Sequence, residues 1–159
     1  MTSRGAGVFP EGFGEVAGTE PGQHFRRRED LRKAGLHLQP GRGIDATREG
    51  ARAVVFSGGY PDDAWEADRA WYTGEGGLDR RGRQVHDQEL VRGNLALQKS
   101  FEKSLPLRVI RQIETGEDFE YVYEGLYLVV EARFESGKDG PKIYRFLLKR
   151  APGDPRHVR

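Results

Sequence analysis

At 159 residues with 26 basic and 25 acidic side chains, the chain is close to neutral, of one-domain length and long enough to bury a core. The absence of cysteine excludes disulfides and thiolate metal sites, and no apolar run approaches the ~20 residues of a membrane span or forms the apolar block of a signal peptide. A cytoplasmic or nucleoid-associated protein is the expectation these features support.

In chain order, residues 1–12 hold three glycines and little apolar periodicity, and read as a loose leader before one domain over 13–153 and a short tail over 154–159. A short helix is predicted over 27–34, where Leu31 and Ala34 share a face and Gly35 ends it. Residues 38–50 form a loop rich in Gly and Pro, and Ala51-Arg52-Ala53-Val54-Val55-Phe56 is a predicted strand. Two glycine-bounded loops then flank a short segment at Ala70 to Tyr72. The clearest helix is predicted over Asp87 to Lys103, with Asp87 as N-cap and Leu90, Val91, Asn94, Leu95, Gln98 and Phe101 on one stripe. Gly93 lowers its propensity by about 1 kcal/mol against alanine. Beyond Pro106 the period changes to two. One strand begins at Leu107, Val109 and Ile110, a second covers 119–134 and a third 143–148, the last two joined by a glycine-rich turn at 135–140. The pattern predicts an α+β fold, a twisted β-barrel flanked by two or three helices.

The two glycine-bounded loops are Ser57-Gly58-Gly59-Tyr60-Pro61-Asp62-Asp63 and Trp71-Tyr72-Thr73-Gly74-Glu75-Gly76-Gly77. Tyr60 and Tyr72 can sandwich a flat polar ring, Asp63 can accept hydrogen bonds from an amino group at its edge, and the glycines let backbone come close. Net charge is only +1, yet 20 of the 26 basic residues are arginine, whose planar fork suits phosphates and guanine edges. Arg26, Arg27, Arg28, Arg32 and Lys33 form one cluster, and Arg80, Arg81 and Arg83 another. A modest positive face on a near-neutral molecule implies selective rather than tenacious DNA binding.

Further pieces stand in order along the chain. They are Phe13-Gly14-Glu15-Val16-Ala17-Gly18, Gly22-Gln23-His24-Phe25, Arg28-Glu29-Asp30-Leu31-Arg32-Lys33-Ala34-Gly35-Leu36-His37, Gly43-Ile44-Asp45, Asp87-Gln88-Glu89-Leu90, Arg92-Gly93-Asn94-Leu95-Ala96-Leu97, Leu107-Arg108-Val109-Ile110-Arg111, Tyr123-Glu124-Gly125-Leu126-Tyr127 and Tyr144-Arg145-Phe146. Together with the two loops this series, running from about Phe13 to Arg150, resembles the SRA (SET- and RING-associated, or YDG) domains that bind modified cytosine in DNA. The resemblance implies the same barrel with flanking helices, a PUA-like fold, and no cofactor.

A pocket that encloses one base must receive it after rotation out of the duplex, at a cost of a few kcal/mol that stacking at ~1–3 kcal/mol per base offsets. Tyr60 and Tyr72 are the candidates for the two faces. Asp63 would accept the cytosine amino group, where thymine presents a carbonyl. Thr73 adds a backbone or hydroxyl contact, and Ser57, Gly58 and Gly59 leave room for a 5-methyl or 5-hydroxymethyl group. By resemblance, the loop before Gly43 supplies a thumb that fills the gap in the duplex, its candidates here being Gly41 and Arg42 rather than the small apolar pair of animal members, and the loop from Leu78 to His86, with Arg80, Arg81, Arg83 and Gln84, forms a finger on the opposite groove. That finger is shorter than in animal members and lacks their N-K-R motif, and the namesake Y-D-G reads Tyr123-Glu124-Gly125.

Enzymatic readings find little support. His24, His37, His86 and His157 show no metal-ligand spacing, Gly74-Glu75-Gly76-Gly77 lacks the lysine of a P-loop, and Asp62, Glu66 and Asp68 are read as solvated loop acids. The expectation is a non-catalytic reader of modified double-stranded DNA, most like prokaryotic members joined to HNH nucleases and part of a modification-dependent restriction system. A fused or separate nuclease domain is the expected partner, with dimerisation left open and no membrane. The alternative is a single-strand or RNA-binding module that uses the tyrosines as a stacking platform.

Overall fold

The computed structural model describes residues 9–66 and 68–153; most of the expected leader, the tail and His157 lie outside the described residues. Eight strands and two helices follow one another as β1 (His24–Phe25), α1 (Arg28–Ala34), β2 (Ile44–Ala46), β3 (Ala51–Phe56), β4 (Ala64–Glu66), β5 (Arg69–Thr73), α2 (Arg92–Lys103), β6 (Leu107–Thr115), β7 (Asp118–Ser136) and β8 (Lys142–Arg150). Their order in the single sheet is β2-β3-β6-β7-β8-β5-β4, with β1 paired to β7. Every pairing is antiparallel except β3 with β6, which run parallel, Val54 opposite Val109.

The α+β fold stands as expected, with one refinement: the sheet curls without closing into a barrel. No ladder joins the two end strands β2 and β4 among the described residues. Side chains close the gap instead. Phe56 of β3 packs against Trp65 of β4 at 5.3 Å between centroids and against Tyr72 of β5 at 6.0 Å. Around these rings Ile44, Val54, Leu97, Leu107, Val109, Tyr127, Phe146 and Leu148 form the inner core. A second core lies between α1 and the sheet, from Phe25, Leu31, Leu36, Ala53, Val55, Ile110, Tyr121 and Tyr123.

The expected start of α2 and its buried face both need correction. Asp87 is not its N-cap, because residues 87 and 88 are held alongside β8: Asp87 Oδ1 accepts the Lys142 N–H at 2.8 Å, and Gln88 Oε1 accepts that of Tyr144 at 2.9 Å. The helix starts at Arg92, and Leu90, Val91 and Leu95 of the expected stripe are exposed. Its buried face is instead mostly small and polar, with Gly93, Asn94, Ala96 and Ser100 around one large apolar residue, Leu97. A Cβ on Gly93 would lie 2.8 Å from Ile44 Cδ1, so the residue that weakens the isolated helix permits its close approach to the sheet. Ser100 Oγ completes the contact, accepting the Ala51 N–H at 2.9 Å and donating to the Ala51 carbonyl at 3.0 Å.

The Y-D-G departure also has a structural account. Between Val109 and Ile110 the β6 register skips one residue of β7, which is Glu124, and Gly125 beside it has φ +108°. The bulge re-aims the Glu124 carboxylate, buried, between Arg111 at 3.1 Å and Arg150 at 3.3 Å. Burial without both partners is costly, so glutamate here ties β6, β7 and β8 together.

Candidate functional site

The site occupies the gap where the sheet fails to close. A cavity of about 170 Å³ is lined by Gly43, Val55, Ser57, Tyr60, Asp63, Tyr72, Thr73 and Glu75. Five of the seven expected pocket residues are thus brought together, whereas Gly58 and Gly59 stand exposed and outside the lining. Tyr72 is 7% exposed and Tyr60 half-buried. Gly43 is needed for space rather than for backbone conformation, since a Cβ there would come within 2.8 Å of the Tyr72 hydroxyl.

Asp63 is fixed by backbone amides. Oδ1 accepts the Thr73 N–H at 2.9 Å and Oδ2 that of Tyr60 at 3.4 Å, so one carboxylate clamps both loops. Burial raises its pKa from the ordinary carboxylate value, an effect that Thr73 and the Tyr60 amide oppose. Burial likewise pushes both tyrosine hydroxyls up, Tyr72 strongly. Thr73 Oγ1 is buried and, among the described residues, makes no hydrogen bond of ordinary geometry.

Asp62 is no free loop acid, as its carboxylate accepts the Lys138 N–H at 3.1 Å and pins the first loop to the β7–β8 turn. The second loop is anchored from below. Asn94 Oδ1 accepts the Glu75 N–H at 2.8 Å, its Nδ2 donates to the Glu75 carbonyl at 3.0 Å, and Gln88 Nε2 donates to the Gly74 carbonyl at 2.7 Å.

The thumb loop, with exposed Gly41 and Arg42, rests on two supports, half-buried Arg28 and buried His37. Arg28 Nη2 donates to the carbonyls of Gln39 and Arg42, both at 2.6 Å, and His37 Nε2 donates to that of Gly43 at 3.0 Å. Burial, reinforced by the Arg28 cation, holds the His37 pKa below the usual imidazole value against the opposing effects of the Gly43 carbonyl and Asp45. Unfolded histidine titrates near pH 6.5. Stability from neutral His37 is therefore complete above about pH 6.5 and is lost as pH falls from there toward the lowered folded value. Melting curves from pH 7.5 to 5.5 are expected to decline more steeply for the native chain than for His37→Gln, which keeps a donor for Gly43; parallel curves would refute the role of His37.

The finger is a tight turn of its own. Asp79 Oδ1 accepts the N–H groups of Arg81 at 2.8 Å and Arg83 at 2.9 Å, which leaves Arg80, Arg81 and Arg83 exposed at the tip. Gln84 departs from its expected place at the DNA surface. It is buried, and its Nε2 donates to the carbonyls of Gly76 and His86, both at 2.8 Å, so it braces the finger from within.

Sequence reasoning missed three lining residues, Gly43, Val55 and Glu75. The alternation of Thr73 and Glu75 along an extended chain was the available signal for Glu75. Its carboxylate accepts the Gly93 N–H at 3.0 Å and lies 3.6 Å from Arg42. Beyond it opens a second cleft, of about 460 Å³, that includes Arg42, Glu89 and Arg92.

The SAD/SRA domain family matches residues 12–154. The histone-lysine N-methyltransferase SUVH6 of Arabidopsis thaliana is 39% identical over 159 residues, covering 90% of this chain and 20% of that protein. This chain therefore spans about a fifth of the length of that curated relative. The crystal structure of the SUVH5 SRA domain with fully methylated CG DNA superposes with a TM-score of 0.80 at 40% identity, covering 92% of this chain and 99% of that one. The same domain has been solved with hydroxymethylated CG, methylated CHH and hemimethylated CG DNA. TagI, a modification-dependent restriction endonuclease, superposes with a TM-score of 0.80 at 38% identity, covering 88% of this chain and 52% of that one. SUVH6 is a plant protein, against the expectation of prokaryotic, nuclease-linked relatives, while TagI is a match on the restriction side. With a family match that runs past the end of β8 and a superposition over a whole isolated domain, this chain belongs to the SAD/SRA domain family.

Proposed function

We propose that this chain recognises 5-modified cytosine in duplex DNA by receiving the base, rotated out of the helix, in the cavity between Tyr60, Tyr72 and Asp63. The observation that carries the reading is the cavity itself. Two aromatic walls and one anchored carboxylate surround a volume of about 170 Å³, which no base still stacked in a duplex can reach. Asp63 offers an acceptor to the cytosine amino group and would meet the O4 carbonyl of thymine with repulsion. Ser57, Gly43 and Val55 supply small or neutral wall where a methyl or hydroxymethyl group fits. Arg42 at the thumb and Arg80, Arg81 and Arg83 at the finger meet DNA around the vacated position, the last three mainly at phosphates. With so short a finger, cytosines outside CpG are tolerated.

Similarity to TagI supports a finer reading, in which the chain is the reader module of a bacterial modification-dependent restriction system acting at the nucleoid, with cleavage supplied by a nuclease domain. The single-strand platform finds no support in the geometry, because Tyr72 is too buried to offer an open face.

The test places 2-aminopurine beside one 5-methylcytosine in a duplex. Its fluorescence is expected to rise on binding, and the methylated duplex to compete at least about tenfold better than both the unmodified duplex and the methylated single strand. Equal competition by the single strand, with no fluorescence change, would overturn the proposal.

A further inference from the structure

The cavity holds a second carboxylate that recognition of the cytosine amino edge does not require. Glu75 follows Thr73 by two residues, and Glu75 and Asp63 both line a space of about 170 Å³. Both tyrosine hydroxyls register the pair, each being pushed up first by burial and further by the charges of Glu75 and Asp63. No arginine, lysine or histidine lines this cavity among the described residues. Arg42, which pairs with Glu75 at 3.6 Å, belongs to the neighbouring cleft and is half exposed, and the Arg28 guanidinium is engaged by the thumb carbonyls. The lining therefore holds two acidic residues and no basic one, with the Arg28 charge acting on Tyr72 from outside it.

We propose that Glu75 is a specificity-determining residue that makes the cavity reject cytosines bearing an anionic 5-substituent, 5-carboxylcytosine in particular, while neutral methyl, hydroxymethyl and formyl groups are admitted. This rests on the base-flipping reading given above. In so small a space an anionic base stays near both carboxylates whichever way its ring is turned. Repulsion between unit charges ~6 Å apart at an effective dielectric of about 20 corresponds to roughly a hundredfold in affinity. Burial keeps salt from screening it away.

The experiment is competition binding of the whole chain at pH 7.5 with duplexes that carry cytosine, 5-methyl-, 5-hydroxymethyl-, 5-formyl- or 5-carboxylcytosine at one position, for the native chain and Glu75→Gln. Glutamine keeps an acceptor for the Gly93 N–H. Formyl is planar, neutral and nearly as long as carboxylate, so the formyl-to-carboxyl ratio separates charge from size. That ratio is expected to be about thirtyfold or more in the native chain and to fall at least about fivefold in Glu75→Gln. The native ratio is a test by itself, independent of how the variant folds. A native chain that binds carboxyl within about threefold of formyl, or a variant that folds and leaves the ratio unchanged, overturns the role of Glu75. A native chain with no preference for methyl over unmodified cytosine overturns the base-flipping reading and this inference with it.

Discussion

Replacing Asp63 with asparagine is expected to collapse the preference for 5-methylcytosine over thymine at the recognised position. The two bases carry the same methyl group and differ only on the edge that Asp63 would meet, so the comparison isolates that contact. Oδ1 is held by the Thr73 amide at 2.9 Å and the Tyr60 amide is more distant at 3.4 Å. The asparagine oxygen can therefore stay on Thr73, and an NH2 donor then replaces the second acceptor. A donor facing the cytosine N4 amino group loses a charge-assisted hydrogen bond worth about 1.5–3 kcal/mol, which is roughly 10- to 150-fold in affinity. Thymine, with an O4 acceptor, gains. Competition with duplexes placing either base opposite guanine in native and variant chains checks this, since the ratio of ratios cancels the lower cost of extruding a mismatched base. Unchanged discrimination would show that another group reads the amino edge.

Arg108→Met is expected to lower the melting temperature by about 10 °C or more, the largest stability effect of any single side chain considered. Arg108 is 1% exposed, and its guanidinium donates to three carbonyls: Leu36 at 2.8 Å, Gly12 at 2.7 Å and Gly14 at 2.8 Å. Burial lowers its pKa, yet the three acceptors hold the charge in place and fasten the N-terminal loops to β6. Methionine fills similar volume and donates nothing. The bonds to Leu36 and Gly14 are buried and that to Gly12 is partly exposed. Each buried carbonyl left unsatisfied costs about 1–3 kcal/mol, and in a chain of this length each kcal/mol lowers the melting temperature by about 2–4 °C. Differential scanning calorimetry measures it, and a drop under about 3 °C would show that the carbonyls recover their bonds elsewhere.

Much of this was legible in the sequence where local pattern and final environment agree. α1 ends at Gly35 in the left-handed conformation at φ +86°, as its glycine indicates, and three long strands follow Pro106 as the residue pattern there indicates, although the first half of β6 is buried on both faces rather than alternating. That Tyr60, Asp63 and Tyr72 line one cavity was legible from the resemblance of their two glycine-bounded loops to the family's pocket loops, not from the residue types alone. Tertiary context hid the rest. The buried face of α2 is made mostly of small and polar residues, so hydrophobic periodicity pointed to Leu90, Val91 and Leu95, which face solvent. Gln84 read as a surface group because it lies among arginines, and only the fold shows its amide spent on Gly76 and His86. β1, β2 and β4, at two or three residues each, are too short for a period to register.

The parallel pairing of β3 with β6 has a bearing on how such a reader can change. Two parallel neighbours need a crossover between them, and here that crossover is everything from Ser57 to Pro106, which includes both tyrosines, the finger and α2. Within it, the finger tip closes on itself through Asp79 and is held at its root by Gly77, whose carbonyl accepts the Val85 N–H at 2.8 Å. Residues added at the tip would disturb no strand register, and doubling a flexible loop costs only about 0.6 kcal/mol. On the function proposed above, preference for neighbouring bases is therefore free to drift or to be engineered by insertion, while the cavity between Tyr60 and Tyr72, walled by strand ends, tolerates far less revision.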